Sequence, residues 1–428
     1  MLCILYKKQY LCTQINYFQD NMQRLLLIII CLSVITLQNA GAQSRQLKKD
    51  LSQARTLIKN GKELDKAIKL MTDQLANSEE ARITEKVYLT WYEAVEKQYA
   101  QGNEQLYLKQ QYDTAKLFSY AKEMFRILEA LDSVAAQKVD KEGEKVEYRS
   151  KHAQILNAYR PNLFYGGSYF LGKDDYKTAF DFFSTYLDCA YQPLFKEEYD
   201  YIKNDTLMPK AAYYATHCGY KLGDAEKILK YSDIAQRDNV HRLPLAQYKA
   251  EAYRELGDTI SYIATLRRGF RQFTRNPYFF IYLQDWYTKN NMPDEALQLC
   301  NDALKHDSNW QLVLLAKSNI LLNLENNNEC IAVCDKFISL NDTIPDVYFY
   351  AGTAYLNEAL KLEKEPDARR KNKAALQEIY KKALPYMEKY RQLSPDDKNK
   401  WAPALYRIYL NLNMGKQFEE MDKIVNKL

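Results

Sequence analysis

Four histidines (His152, His217, His241 and His306) and five cysteines beyond residue 42 (Cys189, Cys218, Cys300, Cys330 and Cys334) are the side chains best suited to metal binding or nucleophilic chemistry. Their spacing supports neither. No histidine has a second histidine or a carboxylate at the interval of a helical metal site such as H-E-x-x-H, and no cysteine pair has C-x-x-C spacing. Cys330 and Cys334 stand one helical turn apart in an apolar segment, where thiols act as small buried hydrophobes. No G-x-S-x-G nucleophile turn occurs, and Gly166-Gly167 lies within a helical pattern, where small size serves packing, and not in a phosphate loop. The acid pairs Asp174-Asp175, Glu197-Glu198 and Asp396-Asp397 fall at turns and helix starts, where carboxylates complement the N-terminal dipole. The expectation is a non-enzyme with no catalytic residue, no metal and no cofactor.

What does recur is tyrosine. Tyr214, Tyr248 and Tyr282 are 34 residues apart; the column skips at Ala316 and resumes at Tyr350. A second column runs Tyr253, Tyr287, Leu321 and Tyr355, and turn positions repeat at Gly223, Gly257, Asn291 and Glu325. Small residues recur at Ala235, Gly269 and Ala303 before Phe337 breaks the series, and Ile228 and Tyr262 stand where another small residue is wanted, which predicts looser or rotated crossings there. Only 13 glycines and 11 prolines occur in 428 residues, below the usual shares of about 7% and 5%. Abundant Leu, Ala, Lys, Glu and Gln make the resulting long elements helices, and no alternation of a strand is present. Each unit holds two amphipathic segments of roughly 12–15 residues joined by a short turn, a helix hairpin.

This pattern resembles the tetratricopeptide repeat, a 34-residue helix–turn–helix with small and aromatic residues at set points. The stretch GGSYFLGKDDYKTAFDFFSTYL matches best, through Gly167, Phe170, Tyr176, Ala179 and Phe183; Ala296, Ala303, Ala383, Pro395 and Trp401 also fit. The resemblance implies an all-α, right-handed α-solenoid of about nine hairpins whose first helices line a concave groove. It places Tyr165, Tyr214, Tyr248, Tyr282 and Tyr350 on the groove side, with His217, Glu251, Asp285 and Asn319 one turn along. Tyrosine suits recognition, since a large ring with a polar tip loses little entropy on ordering; packing between adjacent helices is the competing role. The Lys/Asn/Arg set with which cochaperone members of the family hold a terminal carboxylate is not evident here.

Residues 22–42, MQRLLLIIICLSVITLQNAGA, read as a secretory signal peptide: Arg24, an apolar run from Leu25 to Leu37, then Ala40-Gly41-Ala42 with cleavage before Gln43. The run is short of the ~20 residues a membrane helix needs, so no span is expected after cleavage. Ile30 precedes Cys31 where a lipid-attachment site wants a small residue, which argues against lipidation. Met22 reads as the start, with residues 1–21 a mis-assigned start. Residues 43–208 form divergent hairpins with insertions, 209–357 a regular array, and 358–428 terminal hairpins with an insertion and a cap. The insertions lie near Gln101–Gln110, at 189–209 and at 356–382; such segments emerge on one face and often serve binding. The last carries Arg369, Arg370, Lys371 and Lys373 beside Glu363, Glu365 and Asp367, a self-paired extension. Five Asp-Ser/Thr pairs, led by Asp113, Asp132, Asp205, Asp258 and Asp342, are similar to an exported-protein O-glycosylation sequence and equally to helix caps.

Residues 1–42 hold Lys7, Lys8 and Arg24 against Asp20, a net +2 of the formal +5, so no concentrated basic surface remains for nucleic acid. The expectation is a periplasmic scaffold of a Gram-negative bacterium, at or near the outer membrane, holding a protein or peptide partner in a tyrosine-rich groove. A carbohydrate-binding accessory of outer-membrane glycan uptake is the alternative.

Overall fold

The structure, a computed structural model, describes residues 43–138, 146–364 and 373–428. Among the described residues there are helices and turns but no strand. Consecutive helices pair as hairpins: 43–60 with Leu64–Asn77, Glu85–Tyr107 with Thr114–Ala136, and Arg149–Leu171 with Tyr176–Asp188. The pattern continues through Met208–Leu222 with Ala225–Lys230 and Ser232–Ala235, Pro277–Lys289 with Pro293–His306, and Gln311–Asn323 with Asn327–Leu340, with helices Arg242–Glu255 and Thr259–Gln272 between the first of these and the second. Pro345–Glu363 then pairs with Lys373–Leu393 and Lys398–Asn411 with Gly415–Val425. The signal-like segment 22–42 and the cluster Arg369, Arg370 and Lys371 lie outside the described residues.

The 34-residue turn column has a single backbone cause. Gly223, Gly257, Asn291 and Glu325 are all left-handed, with φ of 63°, 71°, 53° and 56°. After each, the next amide donates five residues back: Asp224 to Gly219 (3.0 Å), Asp258 to Tyr253 (3.0 Å), Met292 to Tyr287 (2.9 Å) and Asn326 to Leu321 (2.9 Å). The same bond follows Lys109, Asp174 and Asn413. This is the Schellman closure, which satisfies carbonyls that a helix end would otherwise leave bare. Aspartate then starts the second helix: Asp224 accepts from the Lys227 amide, Asp258 from Ser261, Asp175 from Thr178 and Asp113 from Ala115. Of the Asp-Ser/Thr pairs, Asp113 and Asp258 are therefore caps, while Asp132 and Asp205 are committed to ion pairs with Arg149 and Arg160.

Small residues sit where helices touch. A Cβ on Gly166 or Gly167 would come within 2.7 Å of the Phe182 and Phe183 rings, and one on Gly269 within 2.2 Å of Phe279. Ala235 and Ala303 are fully buried. The expected loosening at Ile228 is not found. Gly219, on the facing helix, brings backbone to backbone there, since a Cβ would lie 2.7 Å from the Ile228 nitrogen. The missing atom on one helix compensates for the extra bulk on the other, and the second helix breaks at Tyr231 (φ −118°, ψ 8°) to complete the hairpin. All five described cysteines are buried and free, and Cys330 donates to the Ser318 carbonyl at 3.3 Å.

The chain divides into two compact units, Met1–Tyr248 and Lys249–Leu428. In the first, part of the 189–209 insertion enters the core, while Tyr191, Ile202 and Leu207 stay exposed. Phe195 is fully buried, and its ring lies 6.1 Å from Phe125. Arg160 is sandwiched 3.8 Å from both the Tyr186 and Tyr201 rings, donates to Asp205 at 2.7 Å and to the Tyr186 carbonyl at 3.1 Å. Tyr186 also donates to Asp205, at 2.6 Å. Burial raises the Asp205 pKa, but these hydrogen bonds and the guanidinium charge outweigh it and hold the carboxyl below its ordinary range. The insertion turns inward because it must satisfy this charge.

Two stability outcomes follow. Gly269→Ala should cost about 1–3 kcal/mol by overpacking against Phe279, while Gly415→Ala, whose Cβ meets open space, should cost nothing measurable; urea midpoints of the two variants test this. Arg160→Met, which leaves Asp205 buried and unpaired, should cost about 3–5 kcal/mol, against a smaller loss for the double change with Asp205→Asn; a double-mutant cycle in urea reads the difference.

Candidate functional site

Helix Met208–Leu222 turns Ala211, Ala212, Ala215, Thr216, Cys218 and Gly219 inward. That leaves Lys210, Tyr214, His217 and Lys221, at positions i, i+4, i+7 and i+11, along its opposite side, which a helical period of 3.6 puts on one face. Tyr214 is half-buried against Phe183 (ring centroids 5.5 Å) and Phe164 (6.2 Å). His217 Nδ1 and the Tyr248 hydroxyl are hydrogen-bonded at 3.0 Å. Tyr220, 41% exposed, stacks on Tyr248 at 4.2 Å. Behind them the buried Tyr213 ring stacks on His241 at 3.9 Å and 9°, and His241 Nδ1 is 2.7 Å from Asp238 Oδ2. Tyr176 meets His217 edge-on at 6.2 Å and donates its hydroxyl to Asp174 at 2.5 Å.

These contacts set the electrostatics. Burial lowers the His217 pKa, and the charges of Lys221 and His241 lower it further, so the imidazole resists protonation. Burial raises the Tyr213 and Tyr248 hydroxyls above their ordinary value. Asp238 is pushed up by burial but held below its usual range by the hydrogen bond from His241 and the Val240 amide. Nothing here activates a nucleophile. Among the described residues no group of three or more His, Cys, Asp or Glu side chains could hold a metal. The arrangement offers ring faces, hydroxyls and ammonium groups side by side.

The expected groove residues divide between the units. Tyr165 (56% exposed), Tyr214, His217 and Tyr248 belong to the first, and only the last three share a cluster in which each touches another member through Tyr213 or directly. Glu251, Tyr282, Asp285, Asn319 and Tyr350 belong to the second. There Tyr278 donates to Glu251 at 2.6 Å, Arg254 pairs with Glu251, and the Arg254 guanidinium lies 5.5 Å over Tyr282. Asp285 pairs with Lys289 at 2.8 Å, Asn319 accepts from Asn323 at 3.3 Å, and Tyr350 leans on Phe349. The second set is thus largely engaged within its own chain.

The sequence reading missed Tyr213, Tyr220, His241 and the lysines of the stripe. Lys210, Tyr214, His217 and Lys221 were legible as a helical face; His241 was not, because it reaches Tyr213 only through the turn that begins the next hairpin. The histidines taken one by one as isolated include two, His217 and His241, that the fold brings into one aromatic cluster. Also unforeseen is a cleft of about 600 Å³ lined by Glu363, Lys373, Tyr380 and Arg407. In it Tyr380 donates to Glu363 at 2.8 Å and Arg407 donates to both, so these three groups satisfy one another.

No family model matches the chain, and no curated protein matches it either. Among solved structures it is similar to the C-terminal part of a TPR repeat-containing protein from Cytophaga hutchinsonii, at 13% identity over 62% of this chain and 95% of that one, with a TM-score of 0.39. It is also similar to the MamA protein, at 14% identity over 44% of this chain and 90% of that one (TM-score 0.34). The TPR2AB domain of yeast Sti1 in complex with pHSP90 gives 16%, 74%, 98% and 0.28 respectively. The resemblance to the tetratricopeptide repeat rests on this chain's own period, hairpins and turn geometry.

A pH outcome follows from His217. Its folded pKa lies below the ordinary 6.5, so the unfolded chain binds the proton first, and stability present above that value declines as pH falls through it toward the folded pKa. His152 is lowered in the same direction by burial. His217→Gln should therefore lose less stability than the parent between pH 7.5 and pH 5.5, read as the shift in urea midpoint; an identical shift in both would place His217 in an unperturbed environment.

Proposed function

We propose that this chain is an exported, non-catalytic adaptor that holds a peptide segment of a partner protein on the aromatic face of its first helices. The observation that carries the reading is the Tyr248 cluster: Tyr220 stacked on Tyr248 and partly open to solvent, with His217 hydrogen-bonded beneath it. A partly exposed aromatic row is unusual without something to cover it, and its hydroxyl and imidazole give polar anchors next to apolar area, the combination favoured at interfaces. Export is inferred from the signal-like order of residues 22–42, and a periplasmic location follows from that reading alone. The described helices include none long and apolar enough to cross a membrane.

The carbohydrate alternative relies on the same rings. Sugar recognition also wants carboxylates and amides at the ring edge with free hydrogen-bonding capacity, and the acids that touch this cluster, Asp174 and Asp238, are engaged by Tyr176 and His241. The peptide reading is therefore preferred. Affinity capture from a periplasmic extract with the parent protein and with Tyr220→Ala/Tyr248→Ala, matched for helicity, tests it. The expected result is a protein retained by the parent and depleted roughly tenfold by the variant, as for the loss of a buried aromatic anchor. Equal capture by both, or capture of polysaccharide in place of protein, overturns it.

A further inference from the structure

The cations around this cluster lack anionic partners. Lys210 lies 5.7 Å over the Tyr214 ring, Lys221 6.0 Å over Tyr176 and Lys173 4.4 Å over Tyr169. None of the three has a carboxylate within salt-bridge distance among the described residues. Lys227 and Lys230 nearby contrast with them, being paired with Asp224 and Asp188. The two carboxylates that touch the cluster are themselves occupied: Asp174 accepts the Tyr176 hydroxyl, and Asp238 accepts from His241 and from the Val240 amide. The face therefore sets lysines that have no carboxylate partner beside aromatic rings, while the corresponding positions of the second unit carry Glu251 and Asp285, each already paired.

We propose that the face bearing Lys210, Tyr214, His217 and Lys221, flanked by Tyr176 and Lys173, accepts an acidic peptide segment. This rests on the peptide reading above and adds the chemistry of the partner. Carboxylate side chains of the segment sit on Lys210 and Lys221, and apolar or aromatic side chains between them lie on Tyr214 and the His217 ring. Eleven residues of helix separate the two lysines, about 16 Å at 1.5 Å per residue, which an extended chain spans in about five residues. The preferred segment thus carries two acids about five positions apart with apolar residues between. The Lys210 and Lys221 ammonium groups lie 5.7 and 6.0 Å over ring faces, so a carboxylate that pairs with either meets a ring beside it.

The test uses the purified protein and a dye-labelled synthetic peptide with glutamates five positions apart and tyrosine and alanine between them. A glutamine version of the same peptide and polygalacturonate, an anionic polysaccharide, serve as comparisons. Fluorescence anisotropy should show the acidic peptide binding, with affinity falling as salt rises. Lys210→Met/Lys221→Met, at unchanged helicity and melting temperature, should weaken it about tenfold, and the glutamine peptide should bind the parent as weakly as the acidic peptide binds the variant. Equal binding of the two peptides, lost on Tyr220→Ala/Tyr248→Ala, overturns the acidic preference and leaves the aromatic groove standing. Binding of polygalacturonate alone, or of no probe, overturns both.

Discussion

The left-handed residue that closes each hairpin is the constraint on which the remaining structure depends. A helix ends with bare carbonyls, and here an amide five residues on covers one of them at every regular turn. Closure in so few residues forces the second helix back along the first at a fixed offset. It does so with glycine at Gly223 and Gly257 but with Asn291 and Glu325 elsewhere, at an energetic cost that a side chain bears in this conformation, about 1–2 kcal/mol. That the geometry survives the loss of glycine shows that the packed helices, and not the turn residue, hold it in place. The aspartates that follow cap the next helix at once, so one short segment both stops and starts a helix.

Given that offset, tyrosine becomes the residue that joins one helix to another. Its ring fills the space between helices and its hydroxyl reaches an acid on a neighbour: Tyr186 to Asp205, Tyr231 to Asp188, Tyr278 to Glu251, Tyr380 to Glu363, Tyr386 to Asp335 and Tyr390 to Asp397. Hydrogen bonds to a charged acceptor are the stronger kind, and phenylalanine could not make them. These pairs account for part of the tyrosine content without any ligand. They also sharpen the case for Tyr248, whose hydroxyl meets the His217 imidazole and whose ring meets Tyr220 in place of a neighbouring acid.

A functional face in such a chain is therefore found by what its side chains have left unmet. In the second unit, Glu251, Asp285 and Glu363 have cations or hydroxyls from their own chain. Around Tyr214 and His217 the cations rest on rings, and the acids within the cluster are spoken for. Arg160 shows the opposite extreme, a charge enclosed by two rings and an aspartate that makes an apparent surface insertion part of the core.

The amino-acid sequence by itself determined the helix hairpins, their 34-residue period, the turn positions, the buried thiols and the glycine contacts at Gly166-Gly167. All of these depend on neighbours within one or two helical turns, or on a repeated pattern that reports them many times over. It marked the tyrosine columns but not their roles. Tertiary structure alone decided that Gly219 would absorb the bulk of Ile228, that His241 would stack on Tyr213, and that the 189–209 segment would bury Phe195 around Arg160. The pairs His217–Tyr248 and Arg160–Asp205 lie 31 and 45 residues apart. Whether such side chains meet depends on the rotation and crossing of separate helices, which a shift of one residue on either helix would change by about 100°.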